Sequence, residues 1–146
     1  MPALDVRSYT LIDYPRVKEL YEAAGVFDPE TDAEERLLVK VEENPDSILV
    51  ATDDDGNVLG TVSIIQDNRI AILFRLVVQE GPEEHMVRMR LLHAAEIQLL
   101  EYGYREVHII APEDNAKIQE EYAHYGFTKG NPYRWFWKKI SASHDH

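Results

Sequence analysis

The chain has no cysteine among its 146 residues. This absence excludes disulfide bonds, a thiolate nucleophile and metal sites with cysteine ligands. The six histidines are scattered and show no spacing typical of a metal site. We therefore expect neither a bound metal nor covalent cross-links to contribute to the fold.

Long hydrophobic runs are also missing. No stretch approaches the ~20 apolar residues that a membrane-spanning helix needs. Residues 1–10 carry charged side chains and lack the apolar core of a signal peptide. The sequence therefore predicts a cytoplasmic protein without a membrane partner.

Basic residues are few: 15 lysines and arginines stand against 27 acidic residues, a formal net charge of -12. Nucleic acids and anionic membranes are polyanions, so this balance argues against both as partners. It is compatible with cationic substrates such as amines, and it also serves simple solubility. The composition, 45% hydrophobic and 29% charged, suits a domain that buries a core.

The first half of the chain predicts two helices and four strands. Asp13 can cap the first helix and Gly25 can end it, while Thr31 or Asp32 can cap the second, which stops near residues 44–45. The turn at residues 53–57 connects two strands of an antiparallel meander. The predicted strands are 4–9, 47–52, 58–65 and 71–78.

The second half changes to helical periodicity. Apolar residues recur along 85–102, which predicts a long amphipathic helix with its apolar stripe at Met86, Met89, Leu92, Ala95, Leu99 and Tyr102. A strand at 106–111 then completes a βαβ unit, so it should run parallel to strand 71–78. A helix at 115–124 and a last strand at 135–140 follow. We expect one domain over residues 1–140 and a disordered tail at 141–146.

Two strings in this pattern resemble the GNAT N-acetyltransferase superfamily. One is the segment 115–127, in which Asn115, Tyr122 and the pair Gly126-Phe127 stand at the family spacing. The other runs from the strand ending at Val78 through the long helix to the strand after it. The resemblance covers nearly the whole chain. It implies an α/β (α+β) GNAT fold, a mixed, mostly antiparallel sheet with helices on both faces and a splay between strands 4 and 5.

The resemblance also implies an acetyl-CoA site and an acid. Where two parallel strands splay apart, unpaired backbone groups can bind an amide-bearing pantetheine arm, and helix N-terminal amides can bind a pyrophosphate. Tyr122 matches the general acid, although it could instead be a core aromatic, and Asn115 could contact the cofactor or cap its helix. The implied cofactor contacts are Leu76, Val77, Val78, Met86, Val87, Arg88, Met89 and Asn115.

The start of the long helix departs from the family pattern. Family members carry a glutamine or arginine and then glycines there, but the aligned stretch 83–88 has Glu83 first, with Met86 and Arg88 at glycine positions. The side chains crowd the phosphate seat, and the carboxylates of Glu83 and Glu84 oppose a phosphate. Arg88 and Arg90 could compensate by charge, or could lie on a solvated helix face.

Three functions remain open at this point. The first is acetyl-CoA-dependent transfer to a primary amine of a small molecule or a protein. The second is a GNAT-like domain that binds or regulates without catalysis, and the third is transfer from a different acyl donor. Strand 71–78 offers no carboxylate as a base, which leaves Glu80, Glu83 and Glu84 as candidates. Trp135 and Trp137 should form core or a pocket wall, and a homodimer is left open.

Overall fold

A computed structural model describes residues 4–140 of the chain. The chain divides after Ile110 into two compact units, which are described separately below. The single domain expected over residues 1–140 therefore stays a prediction. The expected disordered tail at 141–146 lies outside the described residues.

A five-stranded sheet organises the first unit, in the order β1-β2-β3-β4-β5. The first four strands are antiparallel neighbours, and β4 pairs with β5 in parallel. This is the mixed, mostly antiparallel α/β arrangement that the sequence predicts. The strands are β1 Asp5–Ser8, β2 Ile48–Thr52, β3 Val58–Gln66, β4 Ala71–Val78 and β5 His108–Ile109.

Three helices cover the two faces of this sheet: α1 Tyr14–Ala23, α2 Glu34–Glu43 and α3 Glu84–Glu101. Helices α1 and α2 pack on one face, in a buried cluster that includes Tyr21, Leu37 and Val50. Helix α3 packs on the other face, where Gly60 leaves room for it. A Cβ added at Gly60 would lie 2.9 Å from Val87 Cγ1. All five residues of β2 are buried because helices cover both faces.

The buried stripe of α3 differs from the one predicted. Met86 and Tyr102 are exposed, at 36% and 46% of their surface, so these two assignments are wrong. The observed stripe begins with Val87 because that side chain packs against Gly60. Periodicity finds the helix, but the contact with the sheet sets which residues point inward. The buried residues are Val87, Arg88, Leu91, Leu92, Ala95 and Leu99.

The predicted cap of α2 is also wrong. Its N-cap residue is Ala33, which has no side chain to cap with, rather than Thr31 or Asp32. Asp32 instead accepts a hydrogen bond from the Asp28 amide at 2.9 Å and pairs with Arg75. The Asp32 carboxylate is engaged by these two partners and is therefore not available to cap α2.

Helix α4, Ala116–His124, is the regular element of the described part of the second unit. Asn115 caps it by accepting a hydrogen bond from the Ile118 amide at 3.1 Å. Gly126 ends it with φ +107°, while the Phe127 amide donates to Tyr122 O and the Gly126 amide donates to Ala123 O. These two bonds form a Schellman motif.

The predicted last strand at 135–140 is not observed, because residues 128–140 adopt no helix or strand. Trp135 and Trp137 are 73% and 76% exposed, so they do not form core as expected. Alternating aromatics predict two faces of a strand, but a strand also needs a partner for its backbone groups. The strand predicted at 106–111 is likewise reduced to the two residues of β5.

Candidate active site

Strands β4 and β5 pair over only two positions. Ile72 lies opposite His108 and Leu73 opposite Ile109, whereas β4 continues to Val78. From Phe74 onward, the edge of β4 that faces away from β3 therefore has no pairing with β5. The structure confirms the predicted parallel pairing and the splay of these two strands.

The splay coincides with a β-bulge in β4. Thr61 pairs with Val77 and Ser63 with Phe74, so Val62 on β3 faces two residues, Arg75 and Leu76. Arg75 has φ +54°, a left-handed conformation that non-glycine residues adopt at a cost of about 1–3 kcal/mol. Such bulges change the direction of a strand's backbone groups and side chains beside functional sites.

Val78 presents its backbone to the unpaired edge. The Gln79 amide donates to Leu59 O at 2.8 Å, so residue 79 directs its hydrogen bonds toward β3. Alternation along the strand then directs the Val78 amide and carbonyl away from β3. The predicted cofactor contacts Leu76, Val77 and Val78 thus lie on the strand whose edge is open, with Leu76 and Val78 half-buried and Val77 buried.

A small cavity of about 130 Å³ lies where β4 leads into α3. Its walls come from the connecting segment 79–83 and from Leu59 and Val87. Gly81 adopts φ +148° in this segment. The cavity lies beside the segment that follows Val78 and beside the start of α3.

The first turn of α3 already uses one of its N-terminal amides within the chain. The Glu84 amide donates to Gly81 O at 3.2 Å, whereas the bond from the Val87 amide to Glu83 O at 2.9 Å is the regular first bond of the helix. Helix N-termini bind anions through amides that lack such acceptors. This turn therefore has fewer amides to offer a phosphate than a helix start of open geometry.

Arg88 does not lie on a solvated helix face, which corrects that interpretation. It is 6% exposed, and its Nη2 lies 3.5 Å from Glu84 Oε2. Glu84, one of the two carboxylates expected to oppose a phosphate, is thus paired with Arg88. Arg90 donates to Leu4 O at 2.8 Å, so its guanidinium is directed toward the N-terminal end of β1.

The other predicted contacts on α3 differ in accessibility. Met86 is exposed and Met89 half-buried, so both side chains are accessible to a ligand. Val87 is 1% exposed and packs against Gly60, and its amide is engaged by Glu83. Contact between each of these residues and a cofactor stays a prediction.

The second unit holds the predicted acid. Tyr122 is 8% exposed, and its ring centroid lies 5.8 Å from that of Phe127 in a tilted arrangement. Asn115 performs the capping role that the sequence suggested. The Schellman motif brings Tyr122 and Phe127 together, because their positions in it regularly pack against each other.

Sequence reasoning missed a polar cluster around the bulge. Arg75 Nε and Nη2 donate to the two oxygens of Asp32 at 3.2 and 2.9 Å, in a pair whose side chains are 18% and 4% exposed. The guanidinium carbon lies 4.7 Å from the centre of the Phe74 ring and 5.8 Å from that of Tyr21. Burial, with a contribution from Asp32, raises the pKa of Tyr21 to about 12, so its hydroxyl stays protonated at neutral pH.

The carboxylates suggested as bases flank the cavity. Glu80 and Glu83 line it, whereas Glu84 is engaged by Arg88. Within residues 4–140, no three acidic or histidine side chains are grouped so as to hold a metal ion. The helices in that range also lack the combination of length and apolarity that crossing a membrane requires.

Comparison with known proteins places the fold. No protein-family model matches the sequence, and no curated protein matches it. Ard1 from Thermoplasma volcanium is 21% identical and has a TM-score of 0.75 over 88% of this chain and 85% of its own. The PaiA N-acetyltransferase from Thermoplasma acidophilum, solved with coenzyme A, is 22% identical at a TM-score of 0.72, over 86% of this chain and 90% of its own.

A GNAT-family acetyltransferase from Staphylococcus aureus is also similar. It is 16% identical at a TM-score of 0.73, over 88% of this chain and 87% of its own. The mixed five-stranded sheet, with β4 and β5 parallel, and its helices agree with these structures. The chain therefore has the fold of the GNAT N-acetyltransferases.

Proposed function

We propose that the protein transfers an acetyl group from acetyl-CoA to a primary amine of a small molecule or a protein. The observation that carries this proposal is the open edge of β4 at the bulge, on a fold shared with N-acetyltransferases. The Val78 amide and carbonyl are suited to the amides of a pantetheine arm, which would add to the sheet as an extra strand does. This binding needs no particular side chain.

The proposed chemistry assigns one step to a side chain. The neutral amine nitrogen bonds to the thioester carbonyl carbon, the carbon–sulfur bond breaks, and the sulfur leaves as a thiolate. Tyr122 donates its hydroxyl proton to that sulfur, as a general acid does. The nitrogen loses one proton to water, and water returns a proton to Tyr122 after the step. The Asn115 side chain holds the start of α4, the helix that carries Tyr122. The proposal treats residues 1–140 as one functional domain that works in the cytoplasm.

A second candidate is a GNAT-like domain that has lost catalysis and serves as a binding module. The start of α3 supports it, because Gly81 O already accepts a hydrogen bond from the Glu84 amide. Glu80 and Glu83 add negative charge beside the cavity. Both features lower the expected affinity for a pyrophosphate. A different acyl donor that places less negative charge at the start of α3 would meet these obstacles less.

Calorimetric titration with acetyl-CoA and with free CoA tests the first proposal, followed by an assay of thiol release with a panel of amines. We expect one molecule of each to bind per chain and thiol to be released only when an amine is present. Binding without transfer to any amine would favour the second candidate. A chain that is folded and binds neither compound at low salt would overturn the acetyl-CoA assignment.

A further inference from the structure

The Arg75 guanidinium is held in one orientation. Asp32 engages its Nε and Nη2 in a bidentate pair, and the rings of Phe74 and Tyr21 lie 4.7 and 5.8 Å from its central carbon. Asp32 is fixed in turn by the Asp28 amide. A guanidinium held in this way binds a further partner with little loss of side-chain entropy.

One edge of this guanidinium is not used. Asp32 occupies the edge formed by Nε and Nη2, whereas Nη1 makes no hydrogen bond within residues 4–140. The Arg75 side chain is 18% exposed, so solvent and small ligands reach part of it. The unused edge still offers parallel N–H groups from Nη1 and Nη2, which is the geometry that binds a carboxylate or a phosphate through two oxygens.

The position of Arg75 relates this edge to the proposed reaction. Arg75 lies two residues after Leu73, the last β4 residue that pairs with β5. A cofactor whose phosphates lie beyond Val78, at the start of α3, would run back along the β4 edge toward this point. Its thioester, at the far end of the pantetheine arm, would then lie close to the bulge. Groups on the acceptor near its amine would meet the side chain of Arg75.

We propose that Arg75 binds an anionic oxygen group of the acceptor, so that the substrate is a primary amine that also carries a carboxylate or a phosphate. The inference rests on the acetyl transfer proposed above and narrows its substrate class. Asp32 keeps the pair neutral when no acceptor is bound, which explains how an arginine can remain within the half-buried bulge. Because Asp32 offsets the positive charge of Arg75, we expect the anionic group of the acceptor to be held by two hydrogen bonds rather than by charge alone.

Matched acceptors test this proposal. The wild-type protein is assayed with an amino acid against its carboxamide, and with an amino sugar phosphate against the unphosphorylated amino sugar. In at least one pair, we expect the anionic member to have a kcat/KM about tenfold higher or more, the range for charge-assisted hydrogen bonds. The pair that shows the preference tells whether the group is a carboxylate or a phosphate.

The double variant Arg75→Gln/Asp32→Asn then removes the guanidinium. Changing both partners avoids a buried carboxylate without a counter-charge, so this variant keeps the protein folded where Arg75→Gln alone could unfold it. We expect the anionic preference to fall about tenfold, mainly through KM. Arg69→Gln is the matched control, since Arg69 is an 87% exposed arginine paired with Asp67, and it should leave the preference unchanged.

A second readout does not depend on turnover. In the presence of CoA, calorimetry should detect binding of the preferred anionic acceptor to the wild type and weaker binding to the double variant. The inference is overturned if neutral amines are preferred, if the double variant keeps the preference, or if no anionic amine is bound or acetylated. Failure of the proposed function differs from these results, because then either acetyl-CoA does not bind, or it binds and no amine, neutral or anionic, is acetylated.

Discussion

Two regions flank the proposed path of the cofactor, and they differ in what they are made of. The edge of β4 offers backbone groups at Val78 that no part of β5 pairs with, whatever side chains stand there. The start of α3 offers amides too, but Gly81 O already accepts a hydrogen bond from one of them, that of Glu84. Charged side chains surround those amides. The first region is open and neutral, and the second is partly closed by its own chain.

The two regions of such a site should therefore respond differently to changes in sequence. A binding edge built from a bulge and a splay depends on topology, which many sequences share. A phosphate-binding site at a helix start requires small residues and tolerates few carboxylates nearby. A chain can therefore keep the first and lose the second, with affinity rather than fold as the quantity that changes.

The largest expected effect is on the rate of the acetyl-transfer step, which neither region controls. Tyr122→Phe keeps the ring that packs 5.8 Å from Phe127, so the fold of the second unit should persist. We expect kcat to fall about 100-fold, within the range for loss of a general acid, while KM changes little. Steady-state kinetics with the best amine measure it. An unchanged kcat would make Tyr122 a packing residue alone.

The next effect addresses the β4 edge directly. Val78→Pro removes the amide that points away from β3 without removing a bond to β3. We expect the dissociation constant for CoA to rise about tenfold, since one hydrogen bond is lost and its acceptor on the arm is left without a partner. Calorimetric titration measures the change.

Val78→Ala is the control for that variant, because it shortens the side chain and keeps the amide. It should bind CoA nearly as the parent does. If the alanine variant loses as much affinity as the proline variant, the side chain and not the backbone carries the binding. The comparison between a backbone-built region and a side-chain-dependent one would then fail.

Much of the fold could be predicted because local patterns decide it. The strand at 71–78 and the turn with Gly56 at φ +83° follow from residue types that tolerate few other conformations. What could not be predicted depends on partners distant in the chain. Asp32 caps no helix because Arg75, 43 residues later, binds it, and the bulge that holds Arg75 leaves no local signal.

The string that best indicated the family has a partly local explanation. Tyr122, Gly126 and Phe127 stand at the spacing of a Schellman motif with its apolar contact. The same bonds end α1 at Tyr21 and Val26, and α3 at Leu99 and Tyr104. This part of the string is therefore a helix ending that occurs three times within residues 4–140, and the topology of the sheet is stronger support for the fold.

At the start of α3 the expected effects are smaller, and two neighbouring carboxylates affect different quantities: one the affinity for CoA and the other the stability of the fold. Glu83→Gln removes a charge that lines the cavity, so CoA should bind about fivefold more tightly, which corresponds to roughly 1 kcal/mol. Glu84→Gln removes a charged partner of buried Arg88 and should instead lower the free energy of unfolding by about 1 kcal/mol. Titration with CoA and urea unfolding measure the two changes.

Salt separates a charge effect from a change in shape. The gain from Glu83→Gln should shrink as ionic strength rises, because charges at the surface are screened over about 10 Å at 0.1 M. Dephospho-CoA should show the same gain if the pyrophosphate is the group concerned. A gain that is absent at low salt would mean that this carboxylate does not limit binding, and that the two regions do not differ in the way described.

The last effect is a pH-dependent change in stability that involves neither region, and it sets the baseline for the others. Burial raises the pKa of Asp13, but hydrogen bonds from Arg7 at 2.8 and 2.9 Å and from the Thr10 amide at 2.8 Å outweigh it and hold the pKa below its usual value. A carboxyl whose pKa is lower in the folded state contributes stability above its unfolded pKa of about 3.9, and this contribution is lost as the pH falls through the folded value. Asp13→Asn should therefore lower the free energy of unfolding by about 1 kcal/mol at pH 7, a figure reduced because Arg7 is partly exposed, and the deficit should narrow toward pH 3.

Urea unfolding at pH 7, 5 and 3 tests this expectation, and a deficit that stays constant with pH would show that the ion pair is not its source. At pH 7 the folded variant should bind CoA as the parent does, because Asp13 joins β1 to the start of α1 and belongs to neither binding region.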